Sequence, residues 1–561
     1  MSKVCLAVLF CALFGSATAF GQNASVSGTV TDPSGAQVAG ATITATNADT
    51  GAVSLAKSNN AGVYGITALP RGTYTFNGEH PGFRKVTIAN VILDVGAQVS
   101  VNMSLELGQT TETVEVQATA TEVNATSATI GDVVTGKKLL DLPLTGRSAY
   151  NLLTSQPGVT GTTGTNFYIN GNQGNSINYT MDGINSQNNL LTGSFYNYSN
   201  VVTVDRAEEV RVVTSPADAE FGRGAGQVQM VTRGGSNAFH GSAFYEHRNT
   251  WLNANNFFNN AQGRDAGGNL LVGRPILIQN NYGVRLGGYI KKNKTFFNGI
   301  WDPYKQRGSP TFTATVPTAT ARAGNFRFIP GVQNQNASGG APTVDASGNP
   351  LNPGAVQTVS LYGRDPNRLT LDPTGAVAHN LALIPLPNNF KVGDGLNTAG
   401  FTWNRPVPIN FELYEGRIDH LFNEKHRIAL VATQQSFHSI NVAAPPPYPG
   451  VPWQVNPTET TSYSATFISV LRSNLVNEAK FGAYRPRTLV LTPFDEAPVG
   501  PFDRKGLLNV SNKVPYVLNF GTITNPVSGQ PSNYIAPVYQ YGDSVTLIKG
   551  RTRSRAVWKY G

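Results

Sequence analysis

Seven histidines, His80, His240, His247, His379, His420, His426 and His438, are the residues of this chain suited to proton transfer near neutral pH. None falls in an H-E-x-x-H pattern, and no G-x-S-x-G elbow occurs. Glu246-His247, and Asp419-His420 with His426, are the places where carboxylate and imidazole adjoin. Both lie in strand-like segments whose charges a lumen or rim explains first. Asp182 and Asp345 sit in turn sequences that lack the regular oxygen spacing of a calcium loop. Gly222-Arg223-Gly224-Ala225-Gly226 lacks the Lys-Ser/Thr pair of a phosphate loop and the spacing of a dinucleotide fingerprint. The expectation is therefore no catalytic residue, no metal and no cofactor.

Composition sets the elements that must position these residues. Only 13% of the 561 residues are charged, against about 25% in an ordinary soluble domain. Glycine contributes 59 residues, phenylalanine 27 and tyrosine 21. With 40% hydrophobic residues this excludes wholesale disorder and favours β-structure over helix.

Residues 1–19 read as a secretory signal. Lys3 gives a positive start, Val4 to Phe14 an apolar run, and Ala17-Thr18-Ala19 a small-residue cleavage site. The run is shorter than the about 20 apolar residues a bilayer helix needs. Both cysteines, Cys5 and Cys11, fall inside it, so cleavage leaves no thiol for a disulfide, nucleophile or metal. The formal charge of +9 forms no single patch, and its densest cluster, Lys549 to Lys559, alternates with neutral residues as a strand does. Together with export, that pattern argues against nucleic acid and for lumen or rim charge.

Residues 24–107 repeat short alternating runs separated by turn signals, about seven strands, which predicts a β-sandwich. The landmarks run Gly28 to Gly35, Ala39 to Ala41, Asn59 to Ile66, and Leu69-Pro70-Arg71-Gly72 to Tyr74. They resemble the carboxypeptidase regulatory-like domain, although the proline expected before Gly40-Ala41 is absent and Asn59 stands where Asp is usual. The resemblance implies a transthyretin-type or carbohydrate-binding-like sandwich, not a peptidase. A spacer and a sugar-binding module both fit it.

Residues 108–125 read as a linker holding Glu112-Thr113-Val114-Glu115-Val116, an extended run of the kind that β-augmentation captures. Val133 to Leu142 is predicted as a helix stopped by Pro143. Then come Leu142-Pro143-Leu144-Thr145-Gly146-Arg147, Asp182-Gly183-Ile184-Asn185, Glu220-Phe221-Gly222-Arg223 with Gly224 and Gly226, and Thr232-Arg233-Gly234-Gly235. The glycines permit close backbone approach, while Glu220, Arg223 and Arg233 need pairing or water inside a lumen. This order, over residues 126–235, resembles the plug domain of TonB-dependent receptors, in particular the Oar-like group. The resemblance implies that the segment at 112–116 engages a TonB-type periplasmic energy coupler.

From 236 to 561 the pattern becomes long strands with aromatic ends. Tyr282-Val284-Leu286-Gly288-Ile290 is one apolar face, and short turns fall at Lys291 to Lys294, Phe422 to His426 and Arg472 to Asn474. These are hairpins of an outer-membrane barrel. Between them, residues 303–410, 438–458 and 486–540 read as long outward loops. A barrel of about 22 strands needs roughly 500–700 residues with its turns and loops, so the sequence is expected to hold only part of one. The fold class expected is mainly β: sandwich, plug, then partial barrel. The function implied is uptake of a bulky glycan or peptide across the outer membrane, among its lipid, driven by the inner-membrane proton gradient. The other reading is a barrel-anchored adhesion or carbohydrate-binding protein without transport.

Overall fold

A computed structural model describes residues 23–108, 113–117, 130–136, 147–162, 166–172, 177–186, 202–215, 226–264, 267–332, 334, 342–361, 381, 384–440, 449, 455–490, 532–549 and 552–560. The structure is almost wholly β.

The N-terminal part is a two-sheet sandwich, as its alternation requires. One sheet holds β1 (Ala24–Thr31), β4 (Val63–Leu69), β7 (Gln98–Ser100) and β8 (Met103–Ser104), in the order β4-β1-β7 with β8 also on β1. The other has the order β3-β2-β5-β6-β9, from β2 (Thr42–Asn47), β3 (Val53–Lys57), β5 (Gly72–Glu79), β6 (Lys85–Leu93) and β9 (Thr113–Gln117). Alternate residues fill the core: Val26, Ile43, Tyr64, Phe76, Ile88 and Leu105 are buried in one cluster. The Tyr64 hydroxyl donates to the Val101 carbonyl at 2.7 Å, which satisfies the one polar atom that ring buries. The end of the module forms two short strands, β7 and β8, rather than one long one. β9, inside the segment read as a linker, pairs parallel with β6.

The plug sheet has the order β10-β15-β16-β13-β14, from β10 (Ile130–Thr135), β13 (Ile177–Met181), β14 (Ile184–Asn185), β15 (Ala207–Ser215) and β16 (Gly226–Thr232). A hairpin, β11 (Val159–Thr162) with β12 (Asn166–Ile169), lies beside it. Its core joins Val134, Leu153, Tyr179, Val210, Val228 and Met230. The helix predicted from Val133 to Leu142 is corrected at its start, and Lys137 to Leu142 lie outside the described residues. Residues 130–135 are strand, since Ile130, Val133, Val134 and Thr135 are β-branched and pair antiparallel with Glu209 to Ser215.

An 11-stranded antiparallel sheet follows. Its main path runs through β17 (His240–Arg248), β18 (Leu277–Lys291), β19 (Thr295–Trp301), β25 (Ile409–Leu421), β26 (His426–Ile440), β27 (Val455–Arg472), β28 (Leu475–Val490), β30 (Val538–Lys549) and β31 (Thr552–Tyr560). Short β20 (Tyr304–Gly308) and β29 (Ser532–Ile535) complete it. The burial pattern is inverted relative to a water-soluble sheet. Val284, Leu286, Tyr414, Tyr463, Phe481 and Tyr541 are exposed on one face, while Gln279, Asn298, Glu415, Gln435 and Lys480 are buried on the other. Apolar outside and polar inside is what a lipid-facing wall demands.

The tight turns at 291–295, 421–426 and 472–475 lie at the end of the wall on which the sandwich rests, leaving a cleft of about 250 Å³ between Gly51, Gly65, Asn293, Asn423 and Asn474. Residues 303–410 are not featureless. They hold β21 (Thr311–Pro317), β22 (Asn325–Phe328), β23 (Gln357–Ser360) and β24 (Thr398–Asn404), paired β21–β24 and β22–β23. Ala314, Val316 and Ile384 form their small core, which the Pro- and Gly-rich composition conceals.

Candidate functional site

The candidate site is the seam where plug, wall and sandwich meet. Asp205 to Glu209 lead into and open β15, and this charged run sits between Val204 and Val210 in a chain otherwise poor in charge. Arg206 is fully buried and reaches the wall. Its Nε donates to Glu415 Oε2 at 2.5 Å and its Nη2 to Thr433 Oγ1 at 3.2 Å, while the Thr433 hydroxyl donates to the same carboxylate at 2.9 Å. A charge placed so deep is tolerated only because it is paired and hydrogen-bonded.

Asp182 and Gly183 form the β13–β14 turn, both with positive φ, at 48° and 83°. The Asp182 carboxylate accepts from the Thr232 amide at 3.0 Å, tying the turn to β16. It also faces Arg417 of the wall at 3.6 Å, whose guanidinium is held by Asp419 at 2.8 Å. A side chain on Gly183 would meet Lys480 Nζ at 3.0 Å, so the turn lies directly against the wall. Turn chemistry and ion pairing account for Asp182 without a cation. Asp345 likewise accepts from the amides of Ser347 and Asn349, each at 2.9 Å, within its own turn.

Arg147, in left-handed backbone with φ 51°, ion-pairs with Asp205 and Glu246 and stacks over Phe244 at 4.0 Å. It therefore joins plug to β17. Arg233 donates to the Asp205 carbonyl at 3.0 Å and to Glu208 at 3.1 Å. Gly226 packs against Ile169, where an added Cβ would approach within 2.7 Å. Of the other expected residues, Glu112, Leu142, Pro143, Leu144, Gly146, Glu220, Phe221, Gly222 and Arg223 lie outside the described residues. Thr113, Val114, Glu115 and Val116 form β9, parallel to β6.

The sandwich docks on this seam through its Ala68 to Arg71 corner. Arg71 pairs with Glu208 at 2.5 Å and with Glu209, and Arg427 of the wall donates to the Ala68 carbonyl. Glu209 also accepts from the Val95 amide at 2.7 Å, and Arg211 donates to the Val95 carbonyl at 3.1 Å. A cavity of about 440 Å³ remains between the three parts, lined by Arg71, Asp182, Arg233, Arg417, Arg427 and Lys480 among others. Sequence reasoning missed Arg71, Arg206, Glu208, Glu209, Glu415 and Arg417. The clustering of Asp205-Arg206-Ala207-Glu208-Glu209 was the available signal.

Burial pushes the Glu209 carboxyl up to about 8, with Arg71 opposing. A carboxyl raised in the assembled seam favours its protonated form there, so its contribution is fully present below the ordinary value of 4.5 and is lost as pH rises through about 8. Sandwich docking is expected to loosen across that window. Release measured by limited proteolysis should follow it, and Glu209→Gln, which does not titrate, should flatten the profile.

These features define an outer-membrane β-barrel wall carrying an internal plug. Residues 231–556 match the family described as Outer membrane beta barrel domain, and the chain belongs to it. Residues 123–227 match the TonB-dependent Receptor Plug Domain and 25–106 the Carboxypeptidase regulatory-like domain. The chain is 28% identical over 322 residues to the TonB-dependent transporter Oar of Myxococcus xanthus; the match covers 55% of this chain and 29% of that relative. The chain thus spans about a third of the length of the curated relative it matches. Among solved structures, it resembles the outer membrane transporter YddB of Escherichia coli (10% identity, TM-score 0.44, 76% of this chain and 47% of that one). It also resembles the siderophore receptor PirA of Acinetobacter baumannii (12% identity, TM-score 0.42, 76% and 47%).

Proposed function

We propose that this chain carries the plug, the coupling segment and part of the wall of a TonB-dependent transporter that takes up a bulky glycan or peptide. The observation that carries the reading is the seam itself. The plug is fastened to the polar inner face of the wall by Arg206–Glu415 and Asp182–Arg417, and on its other side to the sandwich, which bears the segment at 113–117. In this reading residues 112–116 engage the periplasmic energy coupler, and the plug blocks the lumen until it is pulled.

The loop side supports the cargo class. Trp251, Phe257 and Phe258 are more than 70% exposed, and Asn259 donates to Thr311 Oγ1 at 2.8 Å, joining their loop to the small β-unit of residues 311–404. Exposed rings beside amides are suited to stacking on sugar faces or peptide side chains. The test is uptake of fluorescein-labelled oligosaccharides and oligopeptides by cells carrying the full-length receptor. We expect uptake that collapses with the proton gradient and falls at least tenfold when residues 112–116 are deleted. Uptake indifferent to both would overturn the reading and leave the anchored adhesion protein.

A further inference from the structure

The cavity of about 440 Å³ at the seam holds basic groups that its walls leave uncompensated. Arg71, Arg233, Arg285, Arg417, Arg427 and Lys480 line it, with the carboxylates Asp49, Asp182, Glu208 and Asp419. Glu208 is shared between Arg71 and Arg233, and Asp419 is spent on Arg417. Lys480 is paired with Glu478 at 2.7 Å. Among the described residues, Arg285 and Arg427 have no carboxylate within ion-pair reach. Arg427 still donates to the Ala68 carbonyl, whereas Arg285 donates to no described residue.

The wall fixes where Arg285 points. It lies on β18 between Val284 and Leu286, both exposed on the lipid-facing side, so alternation turns it inward. The charges acting on it are those of Arg233, Asp205 and Glu208. Both carboxylates are committed elsewhere, Asp205 to Arg147 and Glu208 to Arg71 and Arg233. The second carboxyl beside Arg71 is Glu209, which burial pushes up to about 8, so near neutral pH Glu208 serves Arg71 and Arg233 alone. Arg233 is 8% exposed, and its Nη2 is buried without a hydrogen-bond partner, as is Nε of Arg285. Two guanidiniums with unspent donors therefore border one polar cavity and repel each other. Holding unpaired donors and like charges out of water is costly, and an anion bound there relieves both costs.

We propose that the Arg233–Arg285 end of this cavity binds a phosphate group. A guanidinium presents its N–H donors in a planar fork that matches phosphate oxygens. A carboxylate fits one fork and brings one negative charge, whereas a phosphate monoester brings about 1.5 to 2 and meets two guanidiniums at once. The cavity is wider than the ion, so the group can enter free or borne on a sugar. The site depends on the assembled seam and not on transport, and its occupant stabilises plug, wall and sandwich together.

The test is ion-specific stabilisation of the full-length receptor in detergent, near neutral pH and at constant ionic strength. Inorganic phosphate should raise the unfolding midpoint saturably, while chloride and acetate should not. In calorimetric titration Arg285→Gln should bind phosphate at least about tenfold more weakly. Without phosphate its midpoint should equal or exceed the parent's, because it removes a charge that no described residue pairs. Arg285→Lys keeps the charge without the fork and should bind with intermediate affinity. Lys292→Gln, outside the cavity lining, should bind as the parent does. Glucose 6-phosphate and glucose then separate the sources. Equal binding of phosphate and glucose 6-phosphate marks a free ion; tighter binding of the sugar phosphate, with glucose inert, marks a carried group. No saturable effect of phosphate on the parent, an equal effect of acetate, or an effect that survives Arg285→Gln would overturn the assignment. So would an Arg285→Gln receptor already destabilised in phosphate-free buffer, since the guanidinium would then have a structural partner of its own.

Discussion

Arg206→Ala is expected to free the plug from the wall, at a cost of about 3–5 kcal/mol to its docking. The magnitude follows from what remains behind. Arg206 and Glu415 are both buried, and the hydroxyl of Thr433 donates to the carboxylate. Removing the guanidinium leaves a buried carboxylate with the Thr433 hydroxyl donating to it, while Arg417, which also feels Glu415, is already held by Asp419. The pair itself need not be a net source of stability, since bringing both ions out of water costs about as much as their attraction returns. Arg206→Met combined with Glu415→Leu is therefore expected to lie within about 1–2 kcal/mol of the parent, far above either single change. Urea titration with plug proteolysis as the readout distinguishes these cases. A single mutant as stable as the parent would show that the plug is anchored elsewhere.

What was legible in the sequence is the alternation, and alternation reports only which face a residue takes. Tyr282 to Ile290 announced an apolar face, and Val284 and Leu286 do stand exposed on the wall. The sandwich corner at Leu69 to Gly72 was equally plain, because a proline and a glycine mark it. Partnership across the chain was not legible. Arg206 and Glu415 are 209 positions apart, and Arg71 and Glu209 138, so no local spacing hints that they meet. The same limit explains the error at Val133. A run of valines and threonine leans towards strand without breaking a helix outright, and its pairing with β15 settles it as a strand. β9 was recognised as extended, but its partner, β6, is separated from it by the residues of two other strands. Local chemistry gave the elements; the ionic seam required the fold.

The second large effect concerns the passage from plug to wall, where Gly235 follows β16 and precedes β17. Gly235→Ala should destabilise the assembled plug and wall at or above the top of the usual range for overpacking, about 3 kcal/mol. A Cβ there would stand 2.4 Å from the Phe297 carbonyl oxygen, 2.5 Å from that of Gly288 and 2.8 Å from the Phe297 amide nitrogen. All three are backbone atoms of β18 and β19, which pair with each other across Gly288 and Phe297. No rotamer change relieves such a contact, so either the crossing segment backs away from the wall or the β18–β19 ladder opens. Backing away would also pull on Arg233 and Ser236, the first bound to Glu208 and the second hydrogen-bonded to the Ala238 carbonyl at 2.9 Å. Gly416 provides the control. It lies in β25 of the same wall, but a Cβ there would find nothing within 4 Å, so Gly416→Ala should shift the midpoint by less than about 0.5 kcal/mol. Thermal unfolding of the two variants in the same detergent compares them directly. Equal stability would mean that the crossing segment is not wedged against the wall, whereas a large loss at both positions would implicate the loss of glycine rather than the contact.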